Sequence, residues 1–219
     1  MLPFEIQIEE LQKDEQEKVA TILMDAFETN PAYSLIFTKK DKLREGLFWL
    51  FKTNLFLINR SMSVTKVVKE KKTGEIIGVF SLLPPGGVKT GTMAYLQIGI
   101  SGFIKKFGFR TLYKMLGMDS FNKKLLMDAI GTDEYYHLSM VVVKEGYRGA
   151  GIGSFMIKNC IDELRKAAKK CQVLGLTTQL PENVTFYSRL GFQILDEGEV
   201  RFKQDSYYNY NMKLTLTTI

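Results

Sequence analysis

"VVVKEGYRGAGIGSF", residues 141–155, sets an apolar β-rich run against a turn, a burst of glycines and the start of a helix. The glycines are Gly149, Gly151 and Gly153, with Arg148 just ahead of them. Glycines remove the Cβ atoms that would hold a neighbour off. A helix start offers unpaired N–H groups and the positive end of the helix dipole. With the Arg148 charge alongside, Arg148-x-x-Gly151-x-Gly153 after an apolar strand suits a pyrophosphate. The competing reading is a turn whose glycines only ease the packing of helix on strand. Two familiar nucleotide signatures fail on spacing. Counted from Gly149, the third glycine of a dinucleotide fingerprint arrives one residue early, at Gly153, and Gly153-Ser154 lacks the lysine of a phosphate-binding loop.

Working outward, the helix after the turn, about 152–170, carries Ile157, Ile161, Leu164 and Ala168 on one face with lysines outside. "QVLGLTT" reads as a strand, "PENVTFYSRLGF" as a short helix stopped by Gly191, and two β-rich segments end the chain. In the last of them Tyr208, Tyr210, Met212, Leu214 and Leu216 alternate onto one face, which offers a surface for a homodimer. Toward the N-terminus, residues 5–8 read as a strand. Val19, Ile22, Leu23, Ala26 and Phe27 form an amphipathic helix that Pro31 closes, and a second helix covers about 41–59. "SVTKVVKE" and "EIIGVFSLL" flank a turn containing Gly74 and predict a hairpin. Residues 88–134 carry helical runs. Strands and helices alternate in the middle, with hairpins at both ends, so the fold class is α/β: a mixed sheet with helices on its faces. No repeat or linker divides residues 1–219, and a chain of this length suits one domain.

The net charge of +6 is compatible with an anionic ligand and too small to argue for nucleic acid. Two cysteines, Cys160 and Cys171, make neither a disulfide framework nor a metal site, and Cys160 falls at an apolar helix position as a reduced thiol. The acidic N-terminus lacks a secretory pattern, and the longest apolar stretch, "LFWLFKTNLFLI", is too short to span a bilayer. The expectation is a cytoplasmic protein with no membrane partner.

Downstream of the glycine turn, "NVTFYSRLGF" places Asn183 four residues before Tyr187, and then Gly191-Phe192. The two segments in this order resemble the GNAT superfamily, the Gcn5-related N-acetyltransferases, over about residues 135–195. The resemblance implies the GNAT acyl-CoA N-acyltransferase fold; residues 88–134 lie outside it and read, from the length of the connection, as a helical insertion between the third and fourth strands and a substrate-side cap. It implies an enzyme that moves an acetyl group from acetyl-CoA to a primary amine of a small molecule. A protein amine as acceptor, or a module that holds coenzyme A without turnover, are the alternatives. The implied cofactor contacts are Met140, Val141, Val142 and Val143 along the strand, then Arg148, Gly149, Ala150, Gly151, Ile152, Gly153 and Ser154 around the pyrophosphate, and Asn183, Phe186 and Tyr187 beyond. The N–H near Val141 is implied as an oxyanion donor.

By the same resemblance Tyr187 is the general acid for the leaving thiolate; the other reading is a ring packed on the sheet, as for Phe186. His137, the sole histidine, stands eleven residues before Arg148, where it either relays a proton or merely ends a strand. Glu134, Asp133 or water are the alternative bases. Phe27, Tyr33 and Phe37 are expected to wall the acceptor pocket. Aromatics of the insertion, including Tyr95, Phe103 and Phe107, either join that wall or form the core of the cap.

Overall fold

The computed structural model describes residues 5–60, 62, 64–89, 92–132, 134–167 and 171–216, with the backbone alone for Lys40, Thr92, Tyr95 and Leu96. Asp133, Ala168 and the side chain of Tyr95, each assigned a place above, lie outside the described residues.

After β1 (Ile6–Glu10) the predicted amphipathic helix is α1 (Gln16–Phe27), which buries Val19, Ala20, Ile22, Leu23 and Met24. Pro31 does not merely close it. Asn30 caps a second helix, α2 (Pro31–Ile36), its side-chain oxygen accepting from the N–H of Ala32 at 3.0 Å. Proline fits this first position because its missing N–H would have had no partner there. α3 (Lys40–Ile58) follows, then the predicted hairpin of β2 (Thr65–Glu70) and β3 (Ile76–Leu83). Three helices fill the span before the next strand: α4 (Thr92–Gln97), α5 (Ile100–Phe107) and α6 (Phe109–Ile130). Gly108, at φ 86°, breaks α5 from α6 in a conformation that a side chain would strain. β4 (Tyr136–Val143), α7 (Ile152–Ala167), β5 (Val173–Thr178), α8 (Pro181–Ser188), β6 (Gln193–Phe202) and β7 (Asp205–Thr215) complete the chain.

The strands form one sheet in the order β1-β2-β3-β4-β5-β7-β6, with every neighbouring pair antiparallel except the central β4–β5 pair. Each face carries its own apolar layer. On one, Leu23, Leu47, Phe51, Phe103 and Met118 of α1, α3, α5 and α6 pack against Val67 and Val79. On the other, Ile152, Met156 and Ile157 of α7 pack against Phe80, Leu174 and Met212.

In β7 the coverage differs from the alternation expected. Met212 and Leu214 are buried, but Tyr208 on the same face is 46% exposed, while Tyr207, Asn209 and Asn211 of the opposite face are buried. The reason is α6, which lies against that opposite face and accepts a hydrogen bond from the Tyr207 hydroxyl on Asn122 Oδ1.

Gly46 in α3 is demanded by packing. A Cβ there would lie 2.3 Å from Cε1 of Phe37, a buried ring set edge-on against Phe103 and Phe107. Alanine gains about 1 kcal/mol of helix propensity, but overpacking costs about 1–3 kcal/mol. Gly46→Ala is therefore expected to lower the urea midpoint at unchanged slope. Gly102→Ala, in an open position of α5, is expected to raise it. Equal shifts in the two variants would overturn this account.

Candidate active site

The site begins with two irregularities in β4. Against β3 its register runs Val79↔Val142 and then Ser81↔Ser139, so Met140 and Val141 together face the single residue Phe80. This is a β-bulge, and Met140 takes up its distortion at φ 52°, in the left-handed region that β-strand residues avoid. Against β5 the parallel pairing holds at Tyr136↔Leu174 and His137↔Gly175 and stops there. Beyond those pairs the two central strands part. At the paired end Gly175 makes room for the side chains of Ile130 and Tyr135, from which a Cβ would lie 2.6 and 3.1 Å.

A cavity of about 320 Å³ runs from the opening toward the helices on one side of the sheet. His137, Ser139, Met140 and Val141 line it from β4, Thr177 and Thr178 from β5, and Asn183 and Tyr187 from α8. Phe27, Tyr33, Trp49, Met115 and Asp119 form its far wall. The structure thus brings His137, Met140, Val141, Asn183, Tyr187, Phe27 and Tyr33 around one space. Phe37 is not on that wall. It is 4% exposed within the core beneath α5. The aromatics Phe103 and Phe107 of the insertion pack there too, while Leu112, Met115 and Met118 of α6 face the cavity.

The turn 144–151 leaves the cavity and leads into α7. Gly149 and Gly151 have φ of 79° and 83°, and an added Cβ at Gly149 would meet nothing within 4 Å. Gly153 differs: its Cβ would come within 3.3 Å of Phe186 and 3.5 Å of Val143. The third glycine therefore serves the packing of α7 on α8 and β4, and the first two shape the turn. The Arg148 Nε donates to the Val143 carbonyl at 3.1 Å, which turns the exposed guanidinium back over the end of β4. Lys144 and the Tyr147 hydroxyl both bind the Glu75 carboxylate, anchoring the turn to the start of β3 and holding that carboxyl below its usual range. Ala150 and Ser154 are partly buried and Ile152 fully so, facing the core under α7.

Tyr187 is 7% exposed between Phe186 and Phe192, whose centroids lie 5.0 and 5.5 Å from its own. Its hydroxyl has no hydrogen-bond partner among the described residues, and burial raises its pKa, so it keeps its proton. Asn183 donates to Thr178 Oγ1 at 3.0 Å, tying the start of α8 to the end of β5. His137 is pushed the other way. Burial brings it down to about 4, the Lys123 ammonium adds to this, and the Asp119 carboxylate opposes it. Glu134 lies at the other end of the connection, exposed.

A chain of amides was not anticipated from the sequence. Asn30 Nδ2 donates to Gln179 Oε1 at 3.0 Å, Gln179 Nε2 to Asn209 Oδ1 at 2.9 Å, and Asn209 Nδ2 to Asn211 Oδ1 at 3.3 Å, where Thr177 also donates at 2.8 Å. Asn30, Asn209 and Asn211 are each at most 5% exposed, and linking them satisfies groups that would be costly to bury alone. The period-two asparagines of "YYNYN", 207–211, and the Asn30-Pro31 pair are the signals that point to it.

No helix among the described residues is long and apolar enough to cross a membrane. Residues 124–194, from the end of α6 to β6, match the family model described as an acetyltransferase (GNAT) domain. A probable serine/threonine-protein kinase of Dictyostelium discoideum is 23% identical over 198 residues. The match takes in 84% of this chain, which spans about a fifth of that relative's length. Among solved structures, a histone acetyltransferase and related acetyltransferase of Corynebacterium glutamicum superposes with a TM-score of 0.62 at 17% identity, covering 97% of this chain and 96% of its own. An arylalkylamine N-acetyltransferase 7, described as putative, from the mosquito Aedes aegypti gives 0.58 at 15% identity, covering 97% and 88%. A Salmonella typhimurium acetyltransferase, also described as putative and solved with its cofactor acetyl-CoA, gives 0.53 at 15%, covering 97% and 95%. The glycine turn, the parted central strands and the domain match fall on the same segment, so residues 124–194 carry the features of an acetyltransferase (GNAT) domain within a chain whose fold is that of solved acetyltransferases.

Proposed function

We propose that the chain moves an acetyl group from acetyl-CoA to a primary amine of a small molecule. The observation that carries this reading is the parting of β4 from β5 after His137↔Gly175, with the bulge at Met140 beside it. A strand edge left free inside a sheet has backbone groups to offer, and here it opens on a cavity containing a protonated phenol. The residues present fit the donor. Space is open above Gly149, and the first turn of α7 is the positive end of a sixteen-residue helix. Arg148 to Ser154 would hold the pyrophosphate, and Met140 to Val143 the arm that follows it. Acetyl-CoA supplies the activated acyl group as a thioester. The Val141 N–H is the donor for negative charge that develops on the acyl oxygen. Tyr187 holds the proton that a leaving thiolate requires. His137, lowered to about 4, is neutral at pH 7 and too weak a base to strip an ammonium, so water beside it takes the proton that the attacking amine loses. The helices at 92–130 cap the acceptor side.

Glycine variants test the cradle poorly, because any side chain at the positive φ of Gly149 or Gly151 strains the turn itself. Ser154→Asp is the better probe. A carboxylate in the first turn of a helix is neutral or stabilising by about 0.3–1 kcal/mol, yet it repels a phosphate. Acetyl-CoA at about a hundred times its dissociation constant is expected to stabilise the wild type by about 2.7 kcal/mol, and Ser154→Asp to unfold normally and lose that shift. No shift in the wild type would overturn the cofactor assignment.

A further inference from the structure

The outer surface of α6 carries apolar side chains where a solvent-facing helix carries polar ones. Phe109 is 67% exposed, Tyr113 56% and Leu116 54%. At spacings of four and three they share one face of the helix. The stripe is continuous with the cavity, because Leu116 lies on it and also lines the cavity beside Leu112 and Met115. Moving along α6 in the other direction, the wall becomes polar at Asp119 and Asn122, near His137. Among the described residues of the cavity lining Asp119 alone carries a formal charge, and it is negative. Its present partner is Lys123 at 2.7 Å, an exposed pair of the kind that contributes little and that an arriving cation can replace.

From this polarity, and resting on the acetyl-transfer reading above, we infer that the acceptor is an amphipathic amine. Its amino group lies at the Asp119–His137 end, and its apolar body leaves the cavity along Leu116, Tyr113 and Phe109. The path is set by the helix rise: the ten positions from Asp119 to Phe109 span about 15 Å, longer than a short alkylamine reaches. Lys203 covers one face of the Tyr113 ring, its ammonium 3.9 Å from the centroid, so the apolar body runs on the other side.

The test compares kcat/KM for propylamine and octylamine, both as acceptors with acetyl-CoA. A fully buried methylene contributes about fourfold, and on a half-exposed face about twofold, so the five added methylenes are expected to raise kcat/KM about thirty-fold. Octylamine, about 10 Å long, reaches Leu116 and Tyr113 but not Phe109, so Tyr113→Ser and Leu116→Ser, read as the same octylamine-to-propylamine ratio so that any general loss cancels, are each expected to cut it several-fold, and the double variant to bring it close to one. A wild-type ratio near one, or a high ratio that both variants leave unchanged, overturns this inference while propylamine turnover leaves acetyl transfer standing. Absence of turnover with every amine overturns both.

Discussion

Tyr187→Phe is expected to lower kcat by roughly 10²–10⁴-fold, the usual contribution of a positioned acid, while the stabilisation by acetyl-CoA persists. The substitution removes one oxygen and keeps the ring. Packing against Phe186 and Phe192 supplies the ring's burial and does not involve the hydroxyl. Because the hydroxyl has no protein partner among the described residues, its loss leaves no group unsatisfied and the fold is expected to hold its stability within about 1 kcal/mol. Burial keeps the phenol protonated well past neutral pH, so the proposed acid holds its proton there. Comparing kcat with the ligand-induced shift in one preparation separates the two roles. Unchanged kcat would make Tyr187 a packing residue, and a lost shift would move its role to binding.

The second large effect concerns His137 and stability against pH. Its ordinary value in an unfolded chain is about 6.5, and in the fold burial lowers it to about 4. As pH falls through 6.5 the unfolded chain takes the proton first, and the folded chain resists until about 4. Stability is therefore full above 6.5, declines between 6.5 and 4, and levels below that. The depression corresponds to up to about 3 kcal/mol. Asp and Glu residues titrate in the same window, so the quantity to measure is the difference between wild type and His137→Gln in urea unfolding from pH 7 to pH 4. The wild type is expected to lose stability faster by that amount. Parallel curves would mean that the imidazole is solvated in the fold, and would restore it as a candidate base near neutrality.

Much of the fold is legible in the sequence because it rests on local periodicity. The face of α1, the hairpin of β2 and β3, and the strand–turn–helix around Arg148 each follow from residues within a few positions of one another. Pro31 misleads because proline ends one helix and begins the next by the same property, its missing N–H, and only Asn30 beside it distinguishes the cases. Phe37 misleads for a different reason. Its neighbours Gly46, Phe103 and Phe107 come from elsewhere in the chain, and their packing takes the ring into the core and away from the cavity. The site's decisive geometry was not legible. Nothing in "HLSMVVV" marks Met140 as the bulged residue, and nothing in "QVLGLTT" says that pairing stops at Gly175, because both are properties of the pairing between strands distant in the chain. The glycine turn fell between these cases. Its dihedrals were implied by Gly149 and Gly151, whereas the packing role of Gly153 needed the position of Phe186.

The joint between β4 and β5 also governs how the molecule bears load. Four strands lie on one side of it and three on the other, and two residue pairs bridge them. In a sheet whose other seams run for most of a strand's length, this one is the shortest, closed at one end by the Tyr136↔Leu174 and His137↔Gly175 pairs and open at the other. Load across the joint therefore passes through the helices, since α7 packs on Phe80 of β3 on one side and on Leu174 and Met212 on the other.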